Sequence, residues 1–283
     1  MDQNQPLADT FKIACMAELE ALKPGNVHIF ADGHGMTVQD FILSAEAASK
    51  VIAQPGLSLG ERILSGVQAT QKVVNCNTNL GVILLCTPLI HAALQPSSDA
   101  FAEKLSRVLA NTTVNDAEHA FAAIRLANPA GLGESAQHDV WQPANCTLLQ
   151  AMLEAAPRDM IAQQYSNGFA DVLDGLARYQ QMLMQWQRPA WAVTALHLHF
   201  MARFLDSHIV RKYGETVAGL VQEEAAAHEA ELLKAYNPKN YQAPLLRFDA
   251  ELKKRGLNPG TSADLTVATL FLHALDICKE YLV

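Results

Sequence analysis

An all-α fold follows from three features of the chain. Apolar residues recur at spacings of three and four rather than two, Ala and Leu dominate the composition, and no run keeps up strand-type alternation. At 283 residues and 50% apolar content, a chain can bury roughly three-quarters of its unfolded surface, so a single helical domain over 1–283 is expected. With 15 Gly and 12 Pro, the composition is neither collagen-like nor low-complexity.

The helices can be placed in order. Leu7, Phe11, Ala14, Ala17 and Leu22 share one helical face, and Lys23-Pro24-Gly25 ends it, because proline disfavours a helical residue before it. A glycine-rich loop runs to Met36. Thr37 followed by Asp40 forms an acidic capping box that starts a helix reaching about Ala53, with Pro55-Gly56 as its stop. Ser58 caps the next helix, which ends near Val74. The polar knot Asn75–Asn79 precedes an apolar helix through Leu94. Helices are then expected over about 98–110, 116–127, 147–165, 169–187, 189–213, 215–235, 241–255 and 262–282. Asn128–Pro143 is the longest loop, the kind that often carries function. No repeat of 20–50 residues is apparent.

Charge and cysteine usage exclude several classes. Lys and Arg number 21 against 29 acids, a net of −8, so there is no cationic excess to displace counterions from nucleic acid. Five cysteines, odd in number and without a CxxC pair, argue against disulfides or a zinc knuckle and fit a reducing cytoplasm. The N-terminus lacks the pattern of a secretory leader, and the apolar stretch Gly81–Leu94 is too short to span a bilayer. The expectation is a cytoplasmic protein with no membrane partner. A homodimer is compatible with its apolar content.

Three polar, glycine-bearing loops each precede an apolar helix: Lys23–His28 with Gly33–Met36, Asn77–Gly81, and Asn258–Asp264. Free N–H groups at a helix start, with the dipole behind them, suit phosphate, and glycine permits close approach. Ordinary capping explains any one of them; Thr261 with Asp264 reads as a capping box. Three together point to a shared anionic-ligand site.

These loops carry a family resemblance. Glu18-Leu-x-x-Leu-Lys-Pro-Gly-x-Val27, Gly-His34-Gly-Met36 with Asp40-Phe-x-x-Ser44-Ala, the Asn-Thr-x-x-Gly81 loop and Asn-Pro-Gly-x-Ser-Ala-Asp-Leu265 resemble, in order, the triphosphoribosyl-dephospho-CoA synthase family. The resemblance implies an all-α transferase that takes ATP and 3′-dephospho-CoA and releases adenine. Three positions depart from the pattern. Asn79-Leu80 stands where the family has His and then Lys or Arg. Gly35 replaces an Asp. Asp206-Ser-His-Ile-Val-Arg211-Lys-Tyr-Gly214 replaces Asp-Thr-Asn…Arg-Gly-Gly. Such departures resemble a branch linked to methanopterin- or methanofuran-type one-carbon cofactor synthesis, whose acceptor would differ.

Transfer of a triphosphoribosyl group passes through an oxocarbenium-like centre and needs a base, screened phosphates and an oriented hydroxyl. By resemblance and chemistry, Glu18, Asp40, Glu134 and Asp206 are the candidate catalytic carboxylates, and Asp139 and Asp264 the candidate metal ligands. The candidate substrate and phosphate contacts are Lys23, Gly25, Asn26, His34, Ser44, Asn77, Thr78, Asn79, Gly81, Arg211, Lys212, Gly260, Thr261 and Ser262. Mg²⁺ is the expected cofactor, since it needs only one or two carboxylates beside phosphate and water, and ATP the substrate. Ordinary roles compete: Arg211 and Lys212 also suit a helix C-terminus, and His197 and His199 point to different faces and make a poor metal pair. Two other readings use the same residues. His119, His138-Asp139 and Asp206 loosely match the metal set of a helical phosphohydrolase, and a helical scaffold would need no ligand at all.

Overall fold

The computed structural model describes residues 5–133 and 135–280, with side chains through 275. Among them are fourteen α-helices, one 3-10 turn, two isolated β-bridges and no strand, which is the all-α class expected.

The first helix, α1 (Gln5–Leu19), stops short of Leu22: Ala21 N turns back to Glu18 O at 3.2 Å and the chain dives into a buried loop. The Thr37–Asp40 box starts α2 (Val38–Ile52), and Ser58 with Glu61 starts α3 (Leu59–Gln71). Next come α4 (Leu80–Ala93), α5 (Phe101–Ala110) and α6 (Val114–Ala127), the last begun by a Thr113–Asp116 capping box. Two expected helices each divide in two. The stretch 147–165 becomes α7 (Leu148–Ala155) and α8 (Met160–Asn167), because Asp159 takes the N–H groups of Ile161 at 2.9 Å and Ala162 at 3.3 Å and begins a new helix. Beyond α9 (Ala170–Trp186), the stretch 189–213 divides at Asp206 in the same way, into α10 (Pro189–Arg203) and α11 (Ser207–Tyr213). The apolar period runs on through both breaks while a short acidic side chain competes for the backbone donors. The chain closes with α12 (Glu215–Lys234), a 3-10 turn at Pro238–Tyr241, α13 (Gln242–Lys254) and α14 (Gly260–Glu280).

The core forms around α4, whose residues Leu80 to Ile90 are all buried. It lies against α3, α5, α8 and α14; α1 packs on α14 and α2, α3 on α6, and α10 on α9 and α12. Close crossings depend on glycine. A Cβ at Gly60 would sit 2.5 Å from the Asp116 backbone, while Gly60 N donates to Asp116 Oδ1 at 2.7 Å. Arg62 is almost wholly buried without a carboxylate; its guanidinium donates to the carbonyls of Ile52, Gln54 and Leu57 and so closes the C-terminal end of α2. Cys15, Cys76, Cys86 and Cys146 are free thiols. No helix among the described residues is long and apolar enough to cross a membrane.

Pro88 lies inside α4, and having no N–H it leaves the carbonyl four residues back, that of Leu84, without its helical donor. The buried Tyr165 hydroxyl from α8 supplies the bond, at 2.6 Å from Leu84 O. Removing that hydroxyl strands a buried carbonyl, so Tyr165→Phe is expected to cost about 1–3 kcal/mol in urea unfolding. In a Pro88→Ala background the helix regains its own donor, and the same substitution should cost about half as much or less. Equal costs in both backgrounds would refute the pairing.

Candidate functional site

The N-terminal loop is built from a buried ion pair. Lys23, with no exposed surface, contacts Glu18 and donates to Asn26 Oδ1 at 2.9 Å, and Asn26 Nδ2 continues to Asn258 Oδ1 at 2.8 Å. Burial raises the Glu18 carboxyl and lowers the Lys23 amine, while each partner's charge pulls the other back. Gly25, at φ +83°, donates to Asp249 Oδ1 at 2.9 Å, and a Cβ there would meet Pro259 at 2.7 Å and Leu252 at 2.9 Å. This chain of contacts binds the loop after α1 to the loop before α14.

A second junction centres on Asp206. One oxygen accepts from His208 N at 3.0 Å and Ile209 N at 3.3 Å; the other accepts from Ser262 N and Oγ, both at 2.8 Å. The carboxylate thus fastens the starts of α11 and α14 together. Thr261 Oγ1 also accepts from His208 N, at 3.2 Å, so the capping box expected between Thr261 and Asp264 does not form. The His208 ring packs beside Gly260, where a Cβ would lie 3.1 Å from Nδ1. Burial first, then Arg211, Lys212 and His34, lower this imidazole to about 4.

At the start of α4, Asn77 Oδ1 accepts from Leu80 N at 3.2 Å, and the amides of Gly81 and Val82 have no protein acceptor among the described residues. Gly81 lies against α14: a Cβ there would be 2.0 Å from Asp264 Oδ2. Asp264 makes no hydrogen bond with the described residues. Its enclosure, then the charges of Asp206 and Glu18, raise its pKa well above the ordinary carboxylate range.

A basic wall stands opposite. Arg211 pairs with Asp159 at 2.6 Å, and Arg158 pairs with Glu154 at 2.6 Å while reaching Ser135 Oγ at 3.1 Å. These walls enclose a cavity of about 460 Å³, closed on its other side by Met36, Phe41, Phe121, Ile124, Leu148 and Met152.

Eleven of the residues expected from sequence line this cavity: Glu18, Asn26, Asn77, Thr78, Asn79, Gly81, Asp139, Arg211, Gly260, Thr261 and Asp264. Others are spent elsewhere. Lys23 is sealed behind Glu18 and meets no phosphate from there. Asp40 caps α2 through Thr37, and Ser44 bonds Asp40 O and Thr78. His34 holds Gly25 O at 2.7 Å, and Gly25 is packed under Pro259. Lys212 is exposed over the Tyr213 ring, and Ser262 is bound to Asp206. Asp206 has both oxygens committed to two donors each, does not line the cavity, and has its pKa raised by burial. Glu134 lies outside the described residues. Sequence reading missed Arg158, Asp159 and His208, the first two because they fall within an apparently continuous helix.

Among the described residues no three His, Cys, Asp or Glu side chains gather as a metal site. Asp139 accepts from Ser135 N at 2.9 Å and Trp141 N at 2.8 Å, and His138 Nδ1 meets Asn145. The phosphohydrolase set is therefore not assembled. His197 is a buried residue bonded to Pro24 O, and His199 sits between Asp174 and Glu229.

Known proteins resemble this chain in sequence and in fold. A 2-(5''-triphosphoribosyl)-3'-dephosphocoenzyme-A synthase of Haemophilus ducreyi is 33% identical over 95 residues, a stretch that spans 34% of this chain and about a quarter, 27%, of that protein. A crystal structure from Archaeoglobus fulgidus, described provisionally as a triphosphoribosyl-dephospho-CoA synthase, superposes with a TM-score of 0.63 at 25% identity, covering 82% of this chain and 96% of the other. The family described as ATP:dephospho-CoA triphosphoribosyl transferase matches residues 4–281, nearly the whole sequence, and the chain belongs to that family.

Proposed function

We propose that the cavity transfers the triphosphoribosyl group of ATP to a hydroxyl of 3′-dephospho-CoA and releases adenine, as the name of the family describes. The observation that supports this most directly is the convergence of the free Gly81 and Val82 amides, the Arg158 and Arg211 guanidiniums and the partner-free Asp264 carboxyl on one cavity. The amides at the positive end of α4 and the two guanidiniums suit the triphosphate. They take over the role of the cation that Asn79-Leu80 lacks. The apolar wall suits the adenine ring and the less polar arm of the acceptor.

Mg²⁺ enters with ATP as part of the substrate. Asp264, an oxygen donor without a protein partner beside the α4 amides, would hold it, and phosphate and water supply its other ligands. Glu18 adds negative charge near the developing oxocarbenium centre, with Lys23 fixing its position. The reading assigns the protein to the cytoplasm.

Purified protein with Mg-ATP and dephospho-CoA is expected to release adenine in step with a triphosphoribosyl adduct resolved by HPLC–mass spectrometry. Absence of both, with the protein folded, would reject the reading. Asp264→Asn is expected to lower turnover by at least about 100-fold. It should also stabilise the fold in a pH-dependent way. Because the folded-state pKa of Asp264 is raised, its contribution to stability is complete only below the ordinary carboxylate pKa and is lost as pH rises through the raised value. The melting-temperature advantage of Asp264→Asn should therefore be small near pH 4 and grow toward pH 8; about 1 kcal/mol moves Tm by roughly 2–4 °C in a chain of this size. An advantage that shrinks with rising pH would contradict the assigned shift.

A further inference from the structure

Two polar side chains that face the same cavity have no hydrogen-bond partner among the described residues. Asn79 lines the site from the start of α4, and His208 from the start of α11. Neither side chain is accounted for by structure alone. Asn79 stands at the N-cap of α4 yet makes no side-chain capping bond, and its Nδ2 is buried without a partner among the described residues. The His208 backbone is fixed by Asp206 and Thr261, but its ring nitrogens have no hydrogen-bond partner among the described residues. It is a positioned imidazole with both nitrogens unspent on the cavity wall, whereas Asp206, which does not line the cavity, has both oxygens committed.

We infer that His208 is the general base that takes the proton of the acceptor hydroxyl, and that the unpartnered Asn79 amide holds an oxygen of the same substrate pair across the cavity. This rests on the transfer reading above. In the step, the acceptor oxygen forms a bond to the ribose carbon that carries adenine, and the carbon–nitrogen bond to adenine breaks. The electron pair leaves on adenine, which takes a proton from solvent, and the hydroxyl proton passes to the cavity-facing ring nitrogen of His208. The groups facing that ring explain how it becomes basic only when needed. Arg211 and Lys212 on its own helix and His34 from the N-terminal loop suppress its protonation, whereas α14 presents only the uncharged Gly260 and Thr261. A triphosphate seated on Arg211 cancels much of that positive field, so ATP binding raises the basicity of His208 before the acceptor reacts.

The test compares His208→Asn, Asn79→His and the double exchange Asn79→His/His208→Asn, which keeps one imidazole and one amide on the cavity wall with their places exchanged. His208→Asn is expected to lower kcat for adenine release by 100-fold or more, with KM for ATP within about threefold and the melting temperature unchanged. The double exchange should recover at least tenfold over His208→Asn alone. A His208→Asn enzyme with wild-type kcat, or a double exchange no better than the single variant, would overturn the inference. Nitrogen-15 NMR of the histidine rings supplies a readout independent of turnover. Mg-ATP alone should raise the His208 pKa, and dephospho-CoA should shift its ring nitrogens. If the wild type makes no adenine, the transfer reading fails by itself. His208 signals indifferent to both ligands overturn the base assignment whatever the adenine result.

Discussion

The buried pairing of Lys23 with Glu18 is the constraint on which the site depends. A lysine with no exposed surface is tolerable only with its charge met on the spot, and here Glu18 and Asn26 meet it. That demand ends α1 at Leu19, turns the chain sharply at Gly25 and joins Asn26 to Asn258. The loop before α14 is thereby held in register, and with it Gly260, Thr261 and Asp264. The same pair explains why a cationic residue in a polar motif, which reads as a phosphate ligand, acts from behind the wall: it sets the direction of a carboxylate rather than touching a ligand.

Much of the fold could be read from the sequence, because helix starts and stops are local. Thr37–Asp40, Ser58–Glu61 and the Pro55-Gly56 stop are where the residues place them. The failures were at positions where a tertiary partner outbids the local one. Thr261 reads as a cap for Asp264, yet its oxygen accepts from His208 across the junction of two helices. Asp159 and Asp206 interrupt helices whose apolar period never falters, and only their side chains' hold on the backbone reveals the breaks. The three loops before helices do contribute to the cavity's polar lining: Asn26 from the first, Asn77, Thr78, Asn79 and Gly81 from the second, and Gly260, Thr261 and Asp264 from the third. Its guanidinium at Arg158 and its imidazole at His208 carried no spacing signal, because the groups they complement come from distant segments.

Charge in the cavity is almost entirely balanced beforehand. Arg211 is matched by Asp159, Arg158 by Glu154, and Lys23 by Glu18. Among the described residues Asp264 has no hydrogen-bond donor, and it feels the charges of Asp206, Glu18 and Asp159 against that of Arg211. Such a group weakens the empty protein, and in the transfer reading proposed above a cation would meet its charge. That is the usual relation between a site's readiness and the stability it gives up.

The bond between Tyr165 and the Leu84 carbonyl has an evolutionary corollary. Pro88 is tolerable in the most buried helix of the molecule because a hydroxyl from another helix replaces the donor it lacks, and that hydroxyl must give up its water to get there. Each residue sets the fitness of the other. A lineage that replaces the proline releases the tyrosine to become phenylalanine, whereas one that loses the hydroxyl first passes through a destabilised ancestor. Substitutions at these two sites should therefore be ordered in time, proline before tyrosine, across the descendants of any common sequence that carried both.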